Sequence, residues 1–265
     1  MTSFTFADEY RVSGASGGRD LGTDGPIVVL VHGAGMDRTA WSLQTRWLAH
    51  HGCPALAIDL PGHGASPESE LDSIEAYADW LAGLARALNR PVHVVGHSMG
   101  SFIALECATK ADLASITLVG TAAAMPVHPA LLEAAQANDP LAAQLMAGWG
   151  FAAATRTGPH PSPGNSMVGS NLAMVAQTKN GVLFSDLTAC ARYEDAVSTA
   201  ATLSLPVSFL LGAADKMTPV RAARPLIDAV DHATVEIVPG VGHMVMIEAP
   251  AVTRTSIAGV LGSRV

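Results

Sequence analysis

The sequence has few charged residues and no concentration of basic ones. Only 14% of its 265 residues are Asp, Glu, Lys or Arg, and the formal net charge at pH 7 is −8. The absence of a Lys/Arg stripe argues against nucleic acid as a partner. The hydrophobic fraction of 49% is large enough to fill a substantial core, which argues against a disordered chain.

Cysteine is scarce as well. The three cysteines, Cys53, Cys107 and Cys190, form no closely spaced pair. They predict neither a disulfide framework nor a thiolate metal cluster, and a sparse, odd count is typical of a reducing compartment. The ten histidines also lack the spacing of metal ligands, so no metal site is expected.

Long apolar segments are missing too. No apolar run reaches the roughly 18 residues that predict a membrane helix. The first nine residues, Met1 to Glu9, contain no basic region followed by an apolar stretch, so they do not have the pattern of a signal peptide. A cytoplasmic protein without a membrane partner is therefore expected.

Short β-branched runs alternate along the chain with longer segments of helical periodicity. Strands are predicted over 27–31, 54–58, 92–95, 113–119, 206–211 and 234–238. Helices are predicted over 39–51, 71–88, 219–230 and 249–261, with a further helix just after residue 98. This alternation predicts an α/β fold with a mostly parallel central sheet flanked by helices. The Gly-rich residues 1–25 predict an antiparallel entry hairpin.

One segment, residues 122–203, interrupts this alternation. It contains no convincing strand, but has helical patterns over 129–138 and 141–151 and a loop rich in Gly, Pro, Ser and Asn over 157–165. Ligand pockets in parallel sheets lie beyond the carboxyl ends of the strands, so an insertion there is expected to enclose one. The predicted domains are a core of residues 1–121 and 204–265 and a helical cap of residues 122–203.

Ser98 is the candidate nucleophile. It is the middle residue of the pentapeptide 96–100, Gly-His-Ser-Met-Gly, which follows a predicted strand and precedes a predicted helix. A serine hydroxyl is a weak nucleophile unless it is held exposed beside a base. A sharp strand-to-helix turn flanked by small residues provides that exposure.

Two later loops supply a candidate base and a candidate acid. His243 follows the last predicted strand on a Gly-rich loop and could accept the serine proton. Asp215 follows the strand before it and could orient His243 and stabilise its imidazolium form. Asp186 and Asp195 are rivals for the acid. The chain order Ser98, Asp215, His243 differs from that of two other well-known triad folds.

A fourth segment, His32-Gly33-Ala34-Gly35, ends the first predicted parallel strand. A tetrahedral intermediate needs two preorganised N–H donors for its oxyanion. One is expected from the backbone of Met99, the residue after the nucleophile, and the other from Ala34. His32 is interpreted as a structural residue that bonds the loop.

Taken together, these segments resemble the α/β-hydrolase superfamily over nearly the full length of the chain. The motifs that carry the resemblance occur in the family's order: His32 to Gly35, Asp59 to Ser66, Gly96 to Gly100, Gly212 to Asp215, and Gly242-His243. The resemblance implies the α/β-hydrolase fold, a serine nucleophile with an acyl-enzyme or related intermediate, and no cofactor. It also implies that Asp59 and His63 are scaffolding residues.

Within the superfamily the pattern is similar to small bacterial esterases, cofactor-free perhydrolase-like enzymes, hydroxynitrile-lyase-like esterases and carbon–carbon bond hydrolases. The last group usually has Asn before the nucleophile and a Gly pair after the Met, whereas this chain has His97 and Ser101. The predicted function is hydrolysis of a small or medium apolar carboxylic ester. Carbon–carbon cleavage of a diketone or dienoate-type substrate, and ligand binding without catalysis, are the alternatives.

Candidate substrate-binding residues are Gly33, His97, Met244 and apolar residues of the predicted cap. His97 adjoins the nucleophile, but the turn is expected to point its side chain away. The cap residues either line an acyl pocket or pack the cap on the core; they are Met125, Met146, Trp149, Phe151, Met167, Met174 and Phe184. The expected partner is a small-molecule substrate, and a homodimer is left open.

Overall fold

The computed structural model describes residues 3–7, 10–158 and 166–261. Residues 1, 2, 8 and 9 of the segment without a signal-peptide pattern lie outside this description. So does the 159–165 part of the predicted Gly/Pro-rich loop. In the described part, eight strands form one sheet in the order β1-β2-β4-β3-β5-β6-β7-β8. The strands are β1 Ser3–Thr5, β2 Arg11–Ala15, β3 Ile27–Val31, β4 Ala55–Ile58, β5 Val92–His97, β6 Ser115–Val119, β7 Val207–Gly212 and β8 Thr234–Val238.

The sheet is parallel except at one edge. Strands β3 to β8 pair in parallel, whereas β1 pairs antiparallel with β2, and β2 antiparallel with β4. Every residue of β3, β5 and β6 is buried, because helices cover both faces of the sheet. This burial explains the continuous β-branched runs of these strands. The α/β-hydrolase architecture and the entry hairpin are confirmed.

The described residues also form twelve α-helices. They are α1 Ser42–His50, α2 Ile74–Leu88, α3 Met99–Cys107, α4 Pro129–Gln136, α5 Leu141–Gly150, α6 Ala153–Thr157, α7 Met167–Val175, α8 Val182–Arg192, α9 Ala196–Ala200, α10 Val220–Asp228, α11 Val245–Glu248 and α12 Pro250–Val260. None of them combines the length and hydropathy that crossing a bilayer requires.

Local signals fix the ends of these helices. The α2 helix begins after Ser73, whose side chain accepts a hydrogen bond from the N–H of Ala76, and ends at Asn89 in the left-handed conformation. The predicted 39–51 helix is instead a 3₁₀ turn, Arg38–Trp41, followed by α1. The predicted 249–261 helix is preceded by the separate short helix α11, and Pro250 starts α12.

Helices α4 to α9 lie between β6 and β7, and the described residues of 122–203 contain no strand. We call this segment the helical insertion. Its helices contact one another and also the core, since α8 and α9 pack on α3, and α9 on α10. The division into a core and a cap domain stays a prediction.

Candidate active site

Ser98 lies at a sharp turn between β5 and α3. Its φ of 52° and ψ of −118° put a non-glycine residue in a region that costs about 1–3 kcal/mol. The flanking glycines allow the turn, because a Cβ on Gly96 would lie 2.0 Å from the carbonyl oxygen of Gly100. A Cβ on Gly100 would lie 2.6 Å from the carbonyl oxygens of Val31 and His32.

Hydrogen bonds on both sides hold the strained turn. The N–H of Ser98 donates to the carbonyl oxygen of Val119 at 2.9 Å. The hydroxyl of Ser101 is 2.6 Å from the carbonyl oxygen of Ser98 and 2.8 Å from the hydroxyl of Thr121. These contacts fix the Ser98 backbone, so its partly exposed side chain stands at the end of β5.

Asp215 and His243 form a buried pair on the loops after β7 and β8. The Nδ1 atom of His243 is 2.8 Å from Oδ2 of Asp215. The same carboxylate accepts hydrogen bonds from the N–H of Met217 and from the N–H and hydroxyl of Thr218. Burial alone would raise the pKa of Asp215, but His243 and the bonds from Thr218 outweigh it and hold this pKa below its usual range.

The other ring nitrogen of His243 is unused. Its Nε2 atom is buried and has no hydrogen-bond partner among the described residues. Ser98 and His243 line the same cavity, so the serine and the imidazole belong to one site. Gly120, with a φ of 56°, makes room for the ring, because a Cβ there would lie 3.1 Å from Nδ1.

The cavity has a volume of about 390 Å³ and lies beyond the carboxyl ends of the strands. The loops after β3, β5, β6, β7 and β8 contribute to its wall, and helices α4, α5 and α8 of the insertion complete it. The lining is Gly33, Ala34, Met36, His97, Ser98, Met125, Pro126, Val127, His128, Leu131, Met146, Trp149, Leu187, Cys190, Lys216, Met217, Thr218, His243 and Met244.

The loop after β3 is held from beneath by His32. The N–H of Leu60 donates to Nε2 of His32, which leaves the proton on Nδ1 to donate to the carbonyl oxygen of Gly33 at 2.9 Å. Burial and the nearby His63 lower the pKa of His32 to about 4. Ala34 lines the cavity. The other predicted oxyanion donor, Met99, is buried as the first residue of α3 and does not line it.

The side chain of His97 is fully buried and packs against His243, although the residue is among those that line the cavity. Its ring lies 4.7 Å from the ring of His243 between centroids, and its Nε2 is 3.0 Å from the carbonyl oxygen of His243. Burial and His243 lower the pKa of His97 to about 3. The ring is therefore neutral, and Nε2 carries the proton that donates to that carbonyl.

The apolar candidates divide into two groups. Gly33, Met125, Met146, Trp149 and Met244 line the cavity, as His97 does. Phe151 does not line it: its ring is buried in the core, because α5 ends at Gly150 and the chain turns inward there. Met167, Met174 and Phe184 also pack against the core rather than lining the cavity.

Several residues of the site were missed at the sequence level. Thr218 contacts both partners of the buried pair, with its hydroxyl 2.7 Å from Asp215 Oδ2 and 3.0 Å from His243 Nδ1. Its position three residues after an aspartate and just before Pro219 is a turn signal that could have identified it. Lys216 and His128 also line the cavity and are exposed. The sequence around them contains no comparable signal.

The remaining acidic candidates have other partners. Asp186 binds Nε2 of His63 at 2.8 Å, and Asp195 precedes α9, so neither contacts His243. Asp59 binds Arg38, Ser13 and the N–H of Ala65. Within the described residues, no group of three or more His, Cys, Asp and Glu side chains could hold a metal ion.

Comparison with known proteins agrees with this architecture. Pimeloyl-[acyl-carrier protein] methyl ester esterase from Methylococcus capsulatus is 43% identical over 97 residues, 36% of this chain and 37% of that protein. (E)-2-((N-methylformamido)methylene)succinate hydrolase from Acinetobacter baylyi is 38% identical over 82 residues, 30% of this chain and 31% of that protein. The matches thus span about a third of these curated relatives.

Similarity extends over the whole chain at the level of structure. A solved thermophilic esterase superposes with a TM-score of 0.79 and 26% identity, over 98% of this chain and 96% of that one. Residues 28–255 match the family model described as the alpha/beta hydrolase family, which is most of the chain and includes Ser98, Asp215 and His243. The protein is a member of the alpha/beta hydrolase family.

Proposed function

We propose that the protein is a serine hydrolase that cleaves a small or medium apolar carboxylic ester. The observation that carries this proposal is the buried Asp215–His243 pair, whose histidine has no partner at Nε2 among the described residues and lines one cavity with the strained Ser98. A histidine held by a carboxylate, beside a serine fixed at a turn, is the arrangement that activates a hydroxyl nucleophile.

In the acylation step, Ser98 Oγ attacks the ester carbonyl carbon while His243 Nε2 takes the hydroxyl proton. Asp215 keeps the His243 proton on Nδ1 and stabilises the imidazolium that forms. The carbonyl oxygen becomes an oxyanion, which accepts hydrogen bonds from the N–H groups of Ala34 and Met99. Met99 is the first residue of α3, so its N–H has no partner within the helix.

In the second half of the reaction, the intermediate collapses and the C–O bond to the alcohol breaks. His243 donates its proton to the departing alkoxide, so that an alcohol leaves and an acyl-Ser98 ester remains. Water then attacks this ester, with His243 again accepting the proton. The carboxylic acid leaves and Ser98 regains its hydroxyl, which balances the hydrolysis.

The lining of the cavity supports an apolar acyl group. Met125, Leu131, Met146, Trp149 and Leu187 of the insertion face the catalytic residues across about 390 Å³, and apolar lining favours apolar ligands. In this proposal the insertion acts as the cap. The name of the relative from Methylococcus capsulatus, a methyl ester esterase, favours methyl esters as the first substrates to try.

A substrate panel with the Ser98→Ala variant tests this function. We expect the wild type to hydrolyse p-nitrophenyl butyrate and methyl esters of C4 to C8 acids. Ser98→Ala should lose at least about a thousand-fold in kcat with an unchanged Tm. Ser198→Ala is the matched control, because that exposed hydroxyl donates to the nearby carbonyl oxygen of Asp195 and does not line the cavity. Undiminished turnover by Ser98→Ala would refute the mechanism.

The same panel separates the alternatives. A diketone or dienoate substrate cleaved faster than any ester, with loss of a carbon–carbon bond, would replace the esterase proposal while keeping the triad. Binding of these compounds by wild type without turnover of any of them would indicate a ligand-binding protein.

A further inference from the structure

The helical insertion forms hydrogen bonds with one residue of the loop after β3, Gly35. The N–H of Gly35 donates to Oδ2 of Asp186 at 2.8 Å, and the carbonyl oxygen of Gly35 accepts from the hydroxyl of Thr178 at 2.6 Å. A Cβ on Gly35 would lie 2.8 Å from a methyl carbon of Leu183. Three residues of the insertion, 143 to 151 positions away in the chain, therefore enclose one peptide segment of this loop.

These two hydrogen bonds are important because Gly35 is in a tight turn next to Ala34. The N–H of Met36 donates to the carbonyl oxygen of Gly33 at 3.2 Å, which closes a turn with Ala34 and Gly35 at its centre. The φ of Gly35 is 65°, as a type II turn requires at its third position. Rotation of the peptide between Ala34 and Gly35 would convert the turn to another type, and the bond to Asp186 opposes that rotation.

Asp186 is itself firmly held. His63 uses Nδ1 to bond the carbonyl oxygen of Pro61 and Nε2 to bond Oδ2 of Asp186. Two acceptors therefore face the two ring nitrogens, and the charge and hydrogen bond of Asp186 raise the pKa of His63 above its usual value despite burial. Both side chains are fully buried, and Tyr77 adds a long contact of 3.4 Å to Oδ1 of Asp186. The carboxylate cannot leave Gly35 without also breaking this pair.

We propose that Asp186 and Thr178 are positioning residues that hold Gly35, and through it fix the backbone of Ala34, whose N–H is the proposed oxyanion donor. This inference rests on the proposed function. The insertion then has a second role beyond lining the cavity, because its bonds order half of the oxyanion hole. A single oxyanion donor is worth about 100- to 1,000-fold in kcat, and a loosened donor loses part of that.

Thr178→Val tests the proposal with little risk to folding, because Thr178 is only half-buried and valine keeps its shape. We expect kcat for p-nitrophenyl butyrate to fall about 5-fold with KM unchanged within about twofold, since the donor acts mainly in the transition state. Thr178→Ser, which keeps the hydroxyl, should restore kcat.

Thr188→Val is the matched control. Thr188 is half-buried on α8 and its hydroxyl donates to the carbonyl oxygen of Phe184 at 2.7 Å, so the variant loses an equivalent bond away from Gly35. Its kcat should equal that of the wild type. A kcat of Thr178→Val that matches the Thr188→Val control would overturn the proposal.

Substitutions of Asp186 provide a second test of the proposal. Asp186→Leu removes the acceptor of the Gly35 N–H, and we expect kcat to fall at least about 10-fold, provided that Tm shows a folded protein. Asp186→Asn keeps an oxygen acceptor and should retain most of kcat. Equal kcat values for the two folded variants would contradict a role through this bond.

Failure of the inference can be told from failure of the function. Labelling of Ser98 by a fluorophosphonate reports on the nucleophile itself. If the wild type is labelled and the Thr178 variants keep the wild-type kcat, the esterase proposal stands. Only the proposed positioning of Gly35 by the insertion is then refuted. If the wild type shows neither labelling nor turnover, both the esterase proposal and the positioning proposal are refuted.

Discussion

Two histidine–aspartate pairs in this chain have the same nitrogen-to-oxygen distance, but they use different ring nitrogens and have different surroundings. Asp215 is 2.8 Å from His243, and Asp186 is 2.8 Å from His63. His243 has one ring nitrogen without a partner and lines the cavity with Ser98. His63 uses both nitrogens and lies beneath the loop after β3. A buried pair alone therefore does not define an active site; the pair whose histidine lines the cavity with Ser98 is the candidate.

The largest expected difference between the pairs is in turnover. His243→Gln removes the proposed general base, so kcat should fall at least about a thousand-fold. His63→Gln removes a supporting side chain, and kcat should stay within about tenfold of the wild type. Steady-state hydrolysis of p-nitrophenyl butyrate measures both. Equal losses in the two variants would break the comparison.

The two aspartates should differ in the same direction. Asp215→Asn no longer holds the proton of His243 on Nδ1, and kcat should fall about 100- to 10,000-fold. Asp186→Asn keeps an acceptor for Gly35 and should lose less than about tenfold. The ratio of the two kcat values at constant substrate is the measurement, and a ratio near one would be inconsistent with the assigned roles.

For the free energy of unfolding we expect the opposite order, with the larger loss in the His63–Asp186 pair. His63→Leu leaves the fully buried carboxylate of Asp186 without its cation, a change that typically costs about 3–5 kcal/mol in the free energy of unfolding. His243→Leu should cost less than about 2 kcal/mol, because Asp215 keeps three bonds from Met217 and Thr218. Urea denaturation monitored by circular dichroism gives both values, and a larger loss for His243→Leu would oppose the interpretation.

The smallest expected effect is a pH dependence of the His63–Asp186 pair. Burial lowers the pKa of His63, but the charge and hydrogen bond of Asp186 outweigh it and raise this pKa above its usual value. A raised pKa in the folded state gives stability that is complete below the unfolded pKa of about 6.5. That stability is lost as the pH rises through the folded value.

Besides Asp186, the titratable rings that face His63 are His32 and Tyr77, at 4.8 Å and 6.3 Å between ring centroids, and the charge of Asp59 also favours the protonated form of His63. The unfolding free energy of the wild type minus that of Asp186→Asn should thus be largest below about pH 6.5 and shrink as the pH rises above it. A difference that grows with rising pH would contradict a raised pKa of His63.

The sequence was sufficient for the order of elements and for the loops that carry Ser98, Asp215 and His243. Motif and periodicity are local, and the strand runs set the sheet. Predicted ends were off by at most three residues, as at 39–51, where Asp37 caps a 3₁₀ turn that periodicity does not distinguish from an α-helix.

Features that depend on distant contacts were not predictable. The orientation of His97 depends on the carbonyl of His243, 146 residues away. The hydrogen bonds to Gly35 come from Thr178 and Asp186 of the insertion. Phe151 has the composition of a pocket residue, but the end of α5 turns it into the core. Apolar residues of the insertion look alike in sequence whether they line a cavity or pack a helix.

Covalent labelling tests the central claim, that the pair beside Ser98 is the catalytic one, most directly. The wild type, His243→Gln and His63→Gln are each treated with a fluorophosphonate, and the labelled peptide is identified by mass spectrometry. We predict one adduct on Ser98, formed rapidly in the wild type and in His63→Gln and at least about a hundred-fold more slowly in His243→Gln. An adduct on another residue, or equal labelling rates in all three proteins, would contradict the account.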